Sequence, residues 1–195
     1  MRNIAIFASG TGTNARKIIE FFRNDDTARV ALVVSNKKDA CVLDIAREHG
    51  IAALTVDRTT FFQSEALLER LRAQKIDFIV LAGFLWLIPP YLVNAFPRRM
   101  INIHPALLPA YGGKGMYGMH VHEAVKAAGD AETGITIHYV NEHYDEGDFV
   151  FQTRCPVHQD DTPADIARSV QRLEHLYFPQ IIAKLVSELP TGPAI

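Results

Sequence analysis

The sequence is short of cysteine, of long apolar runs and of surplus basic charge. Its two cysteines, Cys41 and Cys155, stand far apart. They form neither a disulfide framework nor a metal-type spacing, which suits a reducing compartment. No stretch approaches the roughly 20 consecutive apolar residues of a membrane-spanning helix. The opening MRNIAIFASG runs straight into a glycine turn, and its apolar run is too short for a secretory signal. Twenty Lys and Arg face 22 Asp and Glu, a formal net charge of -2. That excludes a general nucleic-acid binder, which carries a basic excess, but not a local basic patch for a phosphorylated small molecule. Internal repeats, linkers and low-complexity segments are also lacking. The expectation is a soluble cytoplasmic protein with a single domain over 1–189 and a C-terminal tail at 190–195.

What the chain does have is apolar sequence in ordinary amount and regular order. At 195 residues, 48% hydrophobic and 22% charged, it can bury one sizeable core. Segments 3–8, 29–35, 52–56 and 77–83 read as strands, with helices over 13–24, 39–50 and about 62–74. The runs IFA, ALVV and FIVLA are continuously apolar, as in strands covered on both faces. Strand and helix alternating at this spacing predict a Rossmann-like, doubly wound α/β fold with a mostly parallel sheet. Pro89 and Pro90 require any helix there to start or break. Residues 98–104 predict a fifth strand, 105–119 a loop rich in Gly, Pro and Tyr, and 120–129 a short helix. Segments 133–140 and 148–157 predict an antiparallel strand pair joined by the polar NEHYDEG. A long C-terminal helix begins at Thr162, with Pro163 at its first position, Asp165 at its third, and Ile166, Val170, Leu173, Tyr177 and Ile181 at helical spacing.

SGTGTNA (9–15) links strand one to helix one. Gly10-x-Gly12-x-x-Ala15 fits a dinucleotide fingerprint formally. Glycines admit a ligand close to the backbone, and a helix N-terminus favours an anion. NAD also requires an acid at the end of strand two, where Ser35-Asn36-Lys37-Lys38 stands instead. A phosphate site is the reading these residues favour. NADP stays open through the two lysines, and so does a turn kept only for tight packing.

Asn102 and His104 are two residues apart on a strand, so they share a face. They lie at its carboxyl end, where open α/β sheets place ligands, and Pro105 keeps His104 extended. An amide donor beside an imidazole suits a developing oxyanion, although a satisfied half-buried polar pair would look the same. In ITIHYVNEHYDEGD, His138 lies on a strand and Asp145 in the following loop. A carboxylate near His104 would raise its pKa and keep it protonated. His104, His120, His122, His138, His143 and Asp145 are many potential ligands, but no spacing matches a metal motif, and none is expected.

ASGTGTNA, SNK, VLAGF, INIHPALLP, GITIHYV with YDEGD, and QRLEH follow one another over about residues 3 to 185. In that order they resemble the folate-dependent formyltransferases, and within them those acting on glycinamide ribonucleotide. INIHPALLP alone marks the wider group, which includes enzymes acting on methionyl-tRNA or hydrolysing formyl folate. Those resemble this chain plus a further domain, so they are not expected here. The resemblance implies the formyltransferase fold and attack by the amine of glycinamide ribonucleotide on 10-formyltetrahydrofolate, in purine synthesis. It implies Asn102, His104 and Asp145 as the catalytic residues: Asn102 on the formyl oxygen, His104 as an imidazolium, Asp145 keeping it charged and relaying a proton through water. Gly12, Thr13 and Asn14 would hold the substrate phosphate, and Glu174 the ribose or glycinamide part. Leu85, Trp86, Leu87, Ile88, Asn102, Asn141, Glu142, His143, Tyr144 and Asp145 would line the folate pocket. The partners it implies are small molecules, with the chain a monomer or homodimer. Acceptors other than the ribonucleotide, such as water or an amino sugar nucleotide, are the alternative within the same chemistry.

Three positions depart from the family pattern. Trp86 and Ser64 stand where arginines often serve the folate's glutamate tail, which puts tail recognition in question. Ala110 replaces a common lysine, for which Lys114 is a substitute. The loop over 112–118 is longer than usual, and Met116 and Tyr117 suit either a lid or an oligomer contact.

Overall fold

The computed structural model describes residues 1–190; the tail expected beyond, 191–195, lies outside the described residues. Seven strands form one sheet in the order β3-β2-β1-β4-β5-β6-β7. They are β1 (Arg2–Phe7), β2 (Ala28–Ser35), β3 (Ala52–Thr55), β4 (Ile76–Leu81), β5 (Met100–His104), β6 (Glu132–Tyr139) and β7 (Phe149–Pro156). The first five are parallel; β6 pairs antiparallel with both β5 and β7. The doubly wound sheet with an antiparallel C-terminal pair is therefore as the sequence predicts.

Alternation along the strands builds two cores. Ile4 and Ile6 of β1 face α1 (Thr13–Phe21), α2 (Cys41–Glu48) and α7 (Pro163–Ser187), whose Ile18, Val42 and Phe178 join the same cluster. Ala5 and Phe7 face the other side, where Phe61, Leu67 and Leu92 are buried. These come from α3 (Arg58–Phe62), α4 (Ala66–Ala73) and α5 (Pro90–Ala95). Burying both faces explains why the strands read as unbroken apolar runs.

The helix expected over about 62–74 is α4, which starts later, at Ala66, and the short α3 precedes it where no helix is expected. Asp57 accepts from the Thr60 N–H at 2.8 Å and caps α3, and the Ser64 hydroxyl accepts from the Ala66 N–H at 3.0 Å where α4 begins. A side-chain cap of this kind starts α3, whereas α4 has no side-chain cap at its N-cap residue Glu65. The fifth strand starts at Met100 rather than 98, because Arg98 sits at a φ of 54°. The long helix begins as expected: Thr162 and Asp165 cap each other's backbone, and Pro163 takes the first turn.

This topology fixes where a ligand goes. From β1 the chain winds outward through β2 and β3, then returns to β4 on the opposite side of β1. The order reverses between β1 and β4, and their carboxyl ends open into a crevice. The glycine turn follows β1, the segment from Gly83 to Ile88 follows β4, and β5 brings Asn102 and His104 alongside.

Candidate active site

A single cleft of about 930 Å³ runs over the carboxyl ends of β1, β4 and β5. At one end lies the glycine turn. Gly12 has a φ of 76°, and a Cβ there would stand 2.9 Å from the Val42 Cα. Packing against α2 and backbone conformation thus both demand glycine at 12. Gly10 has open space around it. The packing explanation accounts for Gly12, and it leaves the open face at Gly10 for a ligand. Helix α1 opens here with no side-chain cap, so its first N–H groups are available to an anion. Lys37 and Lys114 also line the cleft.

Beside the turn, the Asn14 amide donates to Glu174 at 2.9 Å, while its own carbonyl oxygen is buried without a partner. Burial raises the Glu174 carboxyl above the ordinary range, and the Asn14 hydrogen bond only partly opposes this. Gln171 reaches the Thr13 hydroxyl at 3.3 Å. Thr13, Asn14 and Glu174, expected to act together, are brought together although 160 residues separate the last two.

At the other end lies an apolar slot. The Ser9 hydroxyl accepts from the Leu85 N–H at 2.9 Å and ties the β4 loop to the β1 turn. Leu85, Trp86, Leu87 and Ile88 line this slot, with Asn141, His143, Tyr144 and Asp145 also on the cleft wall. Glu142 is the exception among the residues expected here. It is exposed and does not line the cleft. Trp86 packs on Phe61 with ring centroids 5.4 Å apart, and the Arg58 guanidinium stands 5.6 Å over the Trp86 ring. A cation therefore sits beside the slot even though positions 64 and 86 carry none.

Between the two ends stand Asn102, His104 and Asp145. In the β5–β6 register Asn102 lies opposite His138. The Asn102 amide donates to His138 Nε2 at 3.1 Å and to Asp145 Oδ1 at 3.3 Å. Asp145 Oδ2 accepts from the Gly113 N–H at 2.9 Å and lies 3.5 Å from His104 Nδ1. His104 Nε2 meets the Tyr111 carbonyl at 2.7 Å. The expected trio is thus adjacent, with Asp145 held at a φ of 59° by its tight loop.

One expectation is corrected. Asp145 favours the charged ring of His104 as expected, but the net shift at His104 is downward. Burial pushes the imidazole below its ordinary value. The Asp145 charge and the Tyr111 carbonyl oppose this without overcoming it, and His138 adds to the depression. His104 is 3% exposed, so desolvation of the charged ring is the larger effect. Burial would also raise Asp145, but the His138 ring, His104 and the Gly113 N–H outweigh it and hold that carboxyl below the usual range.

His138 belongs to the site and was not picked out from the sequence as a site residue. It is 2% exposed, bonded to Asn102 and 3.5 Å from Asp145. The signal for it is its register opposite Asn102, which only the pairing of β6 with β5 fixes. His122, also buried, lines the cleft, and its pKa is lowered by burial and by His104. Among the described residues no group of three or more His, Cys, Asp or Glu is placed to hold a metal ion, and no helix is long and apolar enough to cross a membrane.

Comparison with known proteins adds an independent line. The formyl transferase family profile matches residues 2–182. The chloroplastic phosphoribosylglycinamide formyltransferase of Arabidopsis thaliana is 42% identical over 96% of this chain and 66% of its own length. The phosphoribosylglycinamide formyltransferase of Escherichia coli (strain K12) is 36% identical over 93% of this chain and 85% of its own. The chain thus spans about two thirds of the chloroplastic relatives it matches, 66% and 62% of two of them. Glycinamide ribonucleotide transformylase 1 from Symbiobacterium toebii superposes with a TM-score of 0.87 at 34% identity, covering 99% of this chain and 92% of that one.

Proposed function

The chain belongs to the formyl transferase family, and from that premise we propose that it moves the formyl group of 10-formyltetrahydrofolate to the primary amine of glycinamide ribonucleotide, a step of purine synthesis. One observation carries this reading. Asn102, His104 and Asp145 meet midway along a single cleft that has an anion-ready turn at one end and an apolar slot at the other. A phosphorylated amine and a flat formyl-bearing heterocycle, entering from opposite ends, would meet at those three residues.

The chemistry follows from the groups present. The amine nitrogen attacks the formyl carbon, a C–N bond forms, and the carbonyl electron pair moves onto oxygen. Asn102 supplies an N–H to that oxyanion by exchanging its longer bond, the 3.3 Å contact with Asp145. The amine's proton passes to the His104–Asp145 pair, so His104 becomes an imidazolium beside the oxyanion during the reaction rather than before it. As the bond from carbon to N10 of the folate breaks, the proton passes to N10. Burial, by lowering the His104 pKa, favours a ring that can accept that proton. Thr13, Asn14 and the uncapped start of α1 take the phosphate, and Glu174 takes a hydroxyl or amide donor of the same substrate. Arg58 stands in for the arginines that positions 64 and 86 lack, and its partner is the carboxylate tail of the folate.

The test is an absorbance assay of tetrahydrofolate release from 10-formyltetrahydrofolate, with and without glycinamide ribonucleotide. Release only with the ribonucleotide supports the proposal. Release without it indicates hydrolysis, and silence in both overturns the reading.

A further inference from the structure

Two backbone carbonyls decide where hydrogen sits on the buried imidazoles of the site. A carbonyl oxygen only accepts, so His104 Nε2, 2.7 Å from the Tyr111 oxygen, carries the hydrogen. His138 Nδ1, 2.9 Å from the Tyr139 oxygen, carries it on the other ring. The Asn102 amide, which only donates, confirms His138 Nε2 as an acceptor. The nitrogens left to face Asp145 are then His104 Nδ1 and His138 Nε2. Each lies 3.5 Å from a different oxygen of Asp145. Two ring nitrogens and the carboxylate oxygens therefore converge on one point, with 3% and 4% exposure of the two histidine side chains and 11% of the carboxylate.

We propose that His104 Nδ1, Asp145 and His138 Nε2 form one proton-accepting unit, and that Tyr111 is a positioning residue that fixes its geometry through its main-chain carbonyl. Tyr111 has the means. Its backbone sits at a φ of 56°, away from where a tyrosine settles unaided. Its phenol is anchored on Asp130 Oδ2 at 2.5 Å. The preceding loop is clamped by Thr136, whose hydroxyl donates to the Ala106 oxygen at 2.7 Å and accepts from the Leu108 N–H at 3.0 Å. Asp130 thus aims the Tyr111 carbonyl, the carbonyl holds the His104 Nε2 hydrogen, and Nδ1 is left to face Asp145. In the reaction proposed above, an N–H bond of the attacking amine breaks and an Nδ1–H bond forms. The positive charge then lies between the Tyr111 oxygen and Asp145 until the proton leaves for the folate nitrogen. Besides Asp145 and His138, His122 on α6 (Met119–Ala128) acts on the same pocket, and burial and then His104 lower its pKa.

The role of the unit in turnover rests on the proposed function; its geometry does not, and the test separates them. The 15N NMR spectrum of histidine-labelled, unliganded protein at pH 8 reads the tautomers directly. The expected result is Nε2–H on His104 and Nδ1–H on His138; the opposite tautomer on either ring overturns the proposal. Tyr111→Phe removes the anchor, and Asp130→Ala is the second variant should the first fail to fold. Either should mix the His104 tautomers and lower kcat on the order of tenfold, as expected for loss of one hydrogen bond's worth of orientation, with KM unchanged. Asp130→Asn, which keeps an acceptor, should restore both. A wild-type His104 signal in folded Tyr111→Phe and Asp130→Ala would overturn the role of Tyr111. A wild-type spectrum in Asp130→Asn with no recovery of kcat would overturn the link between tautomer and turnover.

Discussion

Replacing Asp145 with asparagine removes one charge and almost no volume, so it isolates what the carboxylate does. Asp145 Oδ2 stands 3.5 Å from His104 Nδ1, and its side chain is 11% exposed. At an effective dielectric near 20, a carboxylate and an imidazolium at that separation attract by about 5 kcal/mol. In the free enzyme burial works against this attraction and lowers the His104 pKa. The attraction is realised when the amine's proton reaches His104, so its loss falls on the transition state. An amide also has to turn either its oxygen or its nitrogen toward the Gly113 N–H and the Asn102 amide, and the nitrogen fits neither. We expect kcat to fall by about 10³-fold, near the full Coulomb estimate converted at 1.4 kcal/mol per decade, with both KM values within a few-fold of wild type. Steady-state kinetics at pH 7.5 reads this, and a thermal melt shows that the fold is kept. A kcat within threefold of wild type, in a folded protein, would refute the assignment of Asp145 to the proton step.

Three further outcomes follow from the structure. Asn14→Ala removes the donor to Glu174 and the buried orphan oxygen beside the phosphate turn; the KM for the ribonucleotide should rise roughly tenfold and that for the folate stay put, and equal rises would count against the division of the cleft. Arg58→Ala removes the guanidinium over Trp86; affinity for folates should drop, more for longer glutamate tails, and an indifferent KM across tail lengths would remove Arg58 from the folate site. His104, His122 and His175 are all held by burial below the ordinary histidine value of 6.5. As pH falls below about 6.5, the unfolded chain protonates them first, so their contribution is complete above that pH and lost below it. Glu174, raised by burial, works the other way, so the profile is read in Glu174→Gln, which removes that opposing group. The melting temperature should therefore decline between pH 7 and 5.5, and a flat or rising profile would contradict the burial of these rings.

Much of this architecture is written in the chain. The unbroken apolar runs and their spacing give the parallel sheet. Thr162, Pro163 and Asp165 mark the start of the last helix because capping chemistry is local. Asn102 and His104 are legible as a pair because strand alternation needs only two letters. The features that sequence does not disclose depend on distance or on the main chain. His138 joins the site through the register of β6 against β5. Glu142 drops out because its loop turns it to the exterior, while its neighbours Asn141 and His143 line the cleft. The charge of His104 is set by how deeply it is buried, which outweighs the carboxylate that the sequence places near it. The short α3 lies just upstream of the segment that reads as helical, and it is started by the Asp57 cap. The carbonyls of Tyr111 and Tyr139 have no letter at all, since every residue has one.

The most direct measurement is to follow a 13C-labelled formyl group. Incubated with [13C-formyl]tetrahydrofolate and glycinamide ribonucleotide, the wild-type protein should move the label onto the glycinamide nitrogen, seen as a new amide carbon signal by NMR. His104→Ala, folded but missing the proton acceptor, should do so roughly 10²–10⁴ times more slowly. Label that stays on the folate, appears as free formate, or transfers at wild-type rate in the variant would contradict the account.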